Sequence, residues 1–433
     1  MKKLQEAIDY IHSTNKFGSV LGLENIRILL EKMGNPQEKL KFIHIAGTNG
    51  KGSTSSYIIN MLKAKGYEVG LFSSPYLEVF NERIRINDDN IDDNSLAEIT
   101  FIVKEKVDEM LEEGCNHPTE FEIVTAIGME YFLRQGVDFV VLEVGLGGRY
   151  DSTNIISKSA VSIITPIAMD HIDVLGDTLE KIAYEKAGII KKNGLVVSYP
   201  QQDSAMKVVE EVADELDADL IISPNQNINI KEIDEKGSKF DFKYGENILN
   251  DLEIKLIGRH QVENAALAIT SILRLKEKGI IDIDEKSIKE GLIKTRWIGR
   301  LELISEEPRF IIDGAHNLQG IEALKNALSE LFNYNKLILG LGILADKDVD
   351  SMIAEMAPLG DIIIATEPNI FRAMKADELG EKLKKYNENV VVEKDIDKAI
   401  EKALSLYEEN DLILFSGSLY LIGDIRSKAK RIL

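Results

Sequence analysis

The sequence predicts an α/β protein made of two successive parallel-sheet units. Three observations carry that reading: short Ile/Val-rich runs apolar on both faces, helical patterns between them, and a length of 433 residues, more than the roughly 100–200 of one domain. The first series of runs is KFIHIAG (41–47), VDFVVLEVG (137–145), AVSIITPI (160–167) and LVVSYP (195–200). Runs apolar on both faces, alternating with patterns such as LAEITFIVKEKVDEMLEEG, indicate a sheet covered by helices on both sides. A second series follows: KLILGLGI (336–343), DIIIATEP (361–368), NVVVEK (389–394) and DLILFSG (411–417). Between the series, residues 225–257 alternate polar and apolar positions and read as an antiparallel edge hairpin, and 258–279 reads as a long helix. The boundary between the units is expected near Arg296, where SIKEGLIKTRW ends a helical pattern.

Charge narrows the function. With 52 Lys and Arg against 73 Asp and Glu the net charge is -21, which repels a polyanion, so nucleic acid is not an expected partner. The single Cys115 forms no internal disulfide and anchors no zinc site, which fits a reducing compartment. The first residues lack the apolar core of a signal peptide and no 18 apolar residues run together, so export and membrane spanning are not expected and the cytoplasm is.

The strongest local signal is IAGTNGKGSTSSYIINML at 45–62, a strand running into a glycine-rich loop and then a helix. Gly47, Gly50 and Gly52 let backbone N–H groups turn toward one anion, Lys51 adds a positive charge, and the Ser53 hydroxyl sits where it can reach Mg²⁺ at the helix start. A glycine separates Lys51 from Ser53, a departure from the common phosphate-loop spacing. No N/T-K-x-D motif occurs, which disfavours guanine. Glu143 ends the strand VDFVVLEVG and His171 follows the next one, so both fall on the sheet edge that carries the loop and are candidates for a metal. GLGGR (145–149) lacks the G-x-G-x-x-G spacing and reads as a tight loop. By position alone, Lys186 in YEKAGIIKK reads as a solvated helix lysine. In the second unit Asp313 and His316 of FIIDGAHN follow a strand and are candidates to face a nucleotide; a serine triad built on them is a weak competitor, since no G-x-S-x-G elbow is present.

These residues resemble one family, the folylpolyglutamate synthases and bifunctional dihydrofolate synthases of the Mur ligase superfamily. The resemblance runs along nearly the whole chain: LGLENI at 21, HIAGTNGKGST at 44, LFSSPYLEVFNERI at 71, EFEIVTA at 120, LEVGLGGRYDSTN at 142, DHIDVLG at 170, EKAGI at 185, GRHQVENAALA at 258, IGRLE at 298, DGAHN at 313 and SGSLYLIGDI at 416. Cell-wall Mur ligases carry a further domain ahead of the loop; only 46 residues precede Gly47, so that branch is not expected. Tyr76 and Ile298 depart from the family pattern, which more often has histidine and proline there.

The resemblance implies a P-loop-containing parallel-sheet domain at 1–296 that binds ATP, followed by a smaller Rossmann-like α/β C-terminal domain at 297–433 that handles glutamate. It implies ATP on Gly47, Thr48, Asn49, Gly50, Lys51, Gly52, Ser53, Asn264, Arg300 and Asp313, with Lys51, Lys186, Arg300 and His316 as the catalytic set. One or two Mg²⁺ ions are implied on Ser53, Ser74, Glu143, His171 and, if carbamylated, Lys186. A pteroate moiety is implied among Leu21, Gly22, Leu23, Thr119, Phe121, Arg149 and Asp151, the last two resembling enzymes that also accept dihydropteroate. The expected activity is ATP-dependent addition of L-glutamate to dihydropteroate, to folates, or to both, by a monomer. A folate-chain extender without dihydropteroate activity, or a nucleotide-binding regulator without ligation, are the alternatives.

Overall fold

In the computed structural model, which describes residues 2–18 and 22–433, the first parallel run is the centre of an eight-stranded sheet. Its strands are β1 (Phe42–Ala46), β2 (Val69–Phe72), β3 (Ile84–Ile86), β4 (Asp89–Asn90), β5 (Phe139–Glu143), β6 (Val161–Ile164), β7 (Leu195–Ser198) and β8 (Asp219–Ile222), in the order β4-β3-β2-β5-β1-β6-β7-β8. From β2 to β8 across that order the strands are parallel, and β3 and β4 add an antiparallel margin. β5 lies on one side of β1 and β6 on the other, so the chain reverses its direction of growth around β1. In an open parallel sheet that reversal opens a crevice at the carboxyl ends of the strands.

The central strands are buried on both faces, as their composition requires. One apolar cluster gathers Phe42, Phe72, Phe132, Val140 and Leu142 with the helix Glu120–Gln135; another gathers Ala46, Ile164, Ile182, Ala187, Val196 and Val209. Each fully buried side chain of this size contributes about 1.5–3 kcal/mol, which makes the sheet a rigid platform for its edge loops. The helix Lys51–Lys65 leaves the β1 loop and meets the helix Glu285–Lys294 at Gly291, where a Cβ would stand 2.4 Å from Met61 Cα. Backbone cannot yield as a side-chain tip can. Gly291→Ala is therefore expected to lower stability by about 1–3 kcal/mol, read as a shift of the urea midpoint.

Residues 228–254 form a three-stranded sheet of their own, β9 (Ile228–Asp234), β10 (Gly237–Tyr244) and β11 (Asn247–Ile254), rather than the edge hairpin expected from sequence. The reason is a second turn at YGEN, with Gly245 at φ +56°, which returns the chain once more. Charged side chains tie the strands together, Lys231 pairing with Asp241 at 2.7 Å and Asp251 at 2.8 Å.

The second parallel run forms a six-stranded sheet of β12 (Glu302–Glu306), β13 (Arg309–Ile312), β14 (Leu337–Leu341), β15 (Ile362–Ala365), β16 (Val390–Val392) and β17 (Leu412–Ser416), ordered β12-β13-β17-β14-β15-β16. Only β12 is antiparallel to its neighbour. Contacts divide the described chain into two compact units. The first is the chain up to Ile228 with Phe242–Leu249 and Asn264–Lys294; the second is Asn229–Asp241, Asn250–Glu263 and Thr295–Leu433. Among the described residues no helix is long and apolar enough to cross a membrane.

Candidate active site

The glycine-rich loop owes its path to two positions. Gly47 sits at φ +153° and Gly50 at φ +81°; a Cβ on the first would lie 1.8 Å from Thr165 Oγ1 and on the second 2.5 Å from Asn264 Oδ1. Neither space admits a side chain, so glycine is required by packing as well as by backbone angle. The loop is anchored on the segment after β6: Thr48 N donates to Pro166 O at 2.8 Å, and Thr48 Oγ1 donates to Ala168 O at 3.0 Å. Asn264 and Ser53 are each 3% exposed and flank the loop and the start of its helix.

Around this loop the sheet edge gathers the other candidates. Glu143, the last residue of β5, is in register with Ile45 of β1 and is buried. Ser74 follows β2, the strand next to β5. His171 follows β6 in the left-handed region at φ +51°; its backbone N–H donates to Asp170 Oδ1 at 2.9 Å, and its half-exposed ring has Nε2 at 3.9 Å from the same oxygen. Among the described residues no three His, Cys, Asp or Glu side chains form a cation cluster.

Lys186 is the largest correction to the reading by position. It is 4% exposed, and its Nζ donates to Gly47 O at 2.9 Å, while Lys51 Nζ donates to the same oxygen at 3.1 Å and to Thr48 O at 3.2 Å. Burial above all, and then the neighbouring Lys51 charge, pull the Lys186 ammonium down to about 7; Asp170, Asp151 and Glu185 act in the opposite sense. A helical pattern cannot reveal this, because what buries Lys186 is a distant loop. A Cβ on Gly148 would be 2.6 Å from Glu185 O and 3.1 Å from Lys186 Cα, so GLGGR is the tight loop expected from its spacing and lies directly on the backbone at Lys186.

The residues expected around pteroate fall on the same unit. Gly22 is at φ +130°, Leu23 precedes the helix Glu24–Lys32, and Leu21 lies outside the described residues. Thr119 caps the helix Glu120–Gln135 in a reciprocal box with Glu122, which directs Phe121 against Phe72, ring centroids 5.8 Å apart, and against Gly145. Arg149 lays its guanidinium 3.9 Å from the Tyr184 ring centre. Asp151 is buried, and its carboxylate accepts from Gly145 N at 3.1 Å, Leu146 N at 2.9 Å and Thr153 N at 3.0 Å. It therefore shapes the loop from within.

In the second unit, Asp313 follows β13. Its two oxygens accept from Leu301 N at 2.9 Å and Ala315 N at 2.8 Å; burial raises its pKa, against the pull of Arg300 and those amides. An added Cβ on Gly314 would lie 3.0 Å from Arg300 Nη1, which places Arg300 beside this turn. His316 holds Nδ1 2.8 Å from Gly314 O.

Two sequence profiles match the chain: the Mur ligase middle domain over residues 45–272 and the Mur ligase glutamate ligase domain over 299–419. A dihydrofolate synthase/folylpolyglutamate synthase of Bacillus subtilis is 37% identical, over 98% of this chain and 99% of its own. The chain belongs to this family of Mur ligases. It is an ATP-dependent ligase of the α/β type. A dihydrofolate synthetase of Saccharomyces cerevisiae is 30% identical, over 94% of this chain and 97% of its own. Among solved structures, a Mycobacterium tuberculosis folylpolyglutamate synthase complexed with ADP and AMPPCP is similar with a TM-score of 0.90 at 28% identity, over 98% of each chain. A Thermotoga maritima folylpolyglutamate synthase is similar with a TM-score of 0.85 at 34% identity, over 98% of this chain and 96% of its own.

Within this ligase, sequence reasoning left some buried polar residues without a role. His44 Nε2 lies 3.0 Å from Thr153 Oγ1, which in turn donates to Asp151; burial holds the His44 imidazole well below its usual range, so it is neutral. The signal available was DSTN, hydrogen-bonding side chains in a row just after a glycine-rich loop, a pattern that fastens loops from inside.

Proposed function

We propose that this ligase adds L-glutamate to dihydropteroate and to the glutamate tail of folates, through an acyl phosphate made from ATP. The observation that carries the reading is the meeting of Lys51 and Lys186 on one carbonyl, Gly47 O, at the sheet edge that also carries Glu143 and the start of a helix. The Lys51 ammonium and a helix N-terminus at one point favour a polyphosphate within a protein of net charge -21.

A carboxylate is a poor electrophile, so its oxygen first takes the terminal phosphoryl group of ATP, with ADP leaving. The glutamate amine then attacks the acyl carbon, phosphate departs, and an amide remains. The loop Gly47, Thr48, Asn49, Gly50, Gly52 and Ser53 holds the phosphates, with Thr48 and Asn49 fixing its path through their bonds to Pro166 O and the remaining backbone N–H groups and the Ser53 hydroxyl facing the anion. Lys51 and Arg300 offset the charge of phosphoryl transfer. Asn264 and Asp313 orient the nucleotide, and His316 faces it as one of the catalytic set. The pteroate end is held by Gly22, Leu23, Thr119 and Phe121 and by the loop that Arg149 and Asp151 shape. Leu21 belongs to the same set.

Ser53, Ser74 and Glu143 offer hard oxygen donors, the set that suits Mg²⁺ completed by substrate phosphates, while His171 adds a less usual nitrogen. Bound there, Mg²⁺ would neutralise charge on the transferring phosphoryl group. Lys186, whose amine is neutral in about half the molecules near pH 7, is able to attack carbon dioxide and lose a proton, becoming an anionic carbamate that joins these donors. The ATP-binding domain is placed at 1–296 and the glutamate-ligase domain at 297–433 of a cytoplasmic monomer, with 229–241 and 250–263 grouping by contacts with the second unit.

Phosphate release with each acceptor tests the proposal. Dihydropteroate plus glutamate, and a reduced folate plus glutamate, are each expected to accelerate release with formation of the glutamylated product. Stimulation by the folate alone leaves a chain extender, and stimulation by neither removes the ligase assignment.

A further inference from the structure

Asn154 reaches two backbone segments far apart in sequence. Its Nδ2 donates to Arg149 O at 3.0 Å and to Gly188 O at 3.0 Å, and its Oδ1 accepts from Lys191 Nζ at 2.8 Å. The partners fix which way the amide points, since two carbonyls need the NH₂ end and an ammonium needs the oxygen. Both bridged carbonyls border Lys186. Arg149 N donates to Glu185 O at 2.8 Å, and a Cβ on Gly188 would stand 2.4 Å from Arg149 Cβ, so loop 147–149 and segment 185–188 lie backbone to backbone. From that seam the Lys186 side chain extends to Gly47 O. Burial also lowers Lys191, to about 8, yet it points at Asn154 rather than at the phosphate loop.

We propose that Asn154 is a positioning residue for ligation: by tying the glycine-rich loop to the turn after Lys186, it fixes where the Lys186 nitrogen stands against Gly47. The inference rests on the ligase reading, and it holds whether that nitrogen is an amine or a carbamate. Misplacing a catalytic group by about 1 Å is enough to cost about 10²-fold in rate, and removing Asn154's two donations frees the seam that sets the Lys186 Cα.

The test is Asn154→Asp in the full chain, an isosteric change that keeps an acceptor for Lys191 and removes both donations. The expected result is a kcat about 10- to 100-fold below wild type. The Kd of a non-hydrolysable ATP analogue, measured by calorimetry, and the KM values should stay within about threefold, and Tm within about 3 °C. Lys191→Met, which leaves the two donations in place, is expected to keep kcat within about twofold. A kcat near wild type in Asn154→Asp overturns the proposal. So does a loss in which KM, Kd and Tm worsen together, since that describes general loosening. If Asn154→Asp does not fold, Asn154→Ser, which keeps one donor, is judged by the same criteria. Wild-type protein assayed in parallel separates the two ideas: no ligation there removes the ligase reading itself, whereas normal wild-type ligation with an unaffected variant removes only the role of Asn154.

Discussion

Lys51→Ala is expected to lower glutamate ligation by about 10²- to 10³-fold, the usual effect of removing one preorganised group from the site of developing charge. The fold should survive, because Lys51 Nζ bonds two carbonyls of its own loop, Gly47 O and Thr48 O, and that loop is held independently by the Thr48 bonds to Pro166 O and Ala168 O. A Tm within about 3 °C of wild type, together with lost incorporation of labelled glutamate, would agree with this. Ligation at the wild-type rate by the purified variant would remove the phosphate-loop assignment.

Lys186→Met should do something less common: abolish ligation and make the protein more stable. Burial brings the folded-state pKa of Lys186 from 10.5 to about 7, so between those values the unfolded chain binds more protons than the folded one. Wild-type stability therefore climbs as pH rises through that window, and the penalty for burying this amine is fully present below about pH 7. Methionine carries no charge and fills a similar volume, so the variant lacks the penalty and should be more stable at pH 6 by ~2 kcal/mol. Urea midpoints from pH 6 to 9 measure this, and the advantage of the variant should shrink with rising pH. A constant difference would mean that the lysine is not buried as an amine in the folded protein.

Much of the architecture was legible because buried parallel strands leave continuous apolar runs. VDFVVLEVG became β5 and DLILFSG became β17. β2 and β8 were not seen, since VGLF is broken by a glycine and DLII opens on an aspartate and is only partly buried, so neither leaves a long continuous apolar run. The glycine loop was legible for a related reason: glycine beside a strand end with a following lysine has few other uses. Lys186 was not, because its backbone packs on Gly148, nearly forty residues away, and its Nζ reaches Gly47 O, farther still, and no local pattern reports contacts of that range. Asp151 shows the converse limit. Its place in the chain suggested a ligand contact, while its oxygens turned out to be occupied by the amides of the loop it closes.

The partition of the chain has a practical consequence. The polypeptide changes unit at 228/229, 241/242, 249/250, 263/264 and 294/295, so one cleavage near residue 296 leaves part of the C-terminal body attached to the N-terminal fragment. A fragment starting at 297 would lack 229–241 and 250–263 and would expose surfaces those stretches cover. Limited proteolysis should accordingly release no stably folded C-terminal piece from a single nick near residue 296.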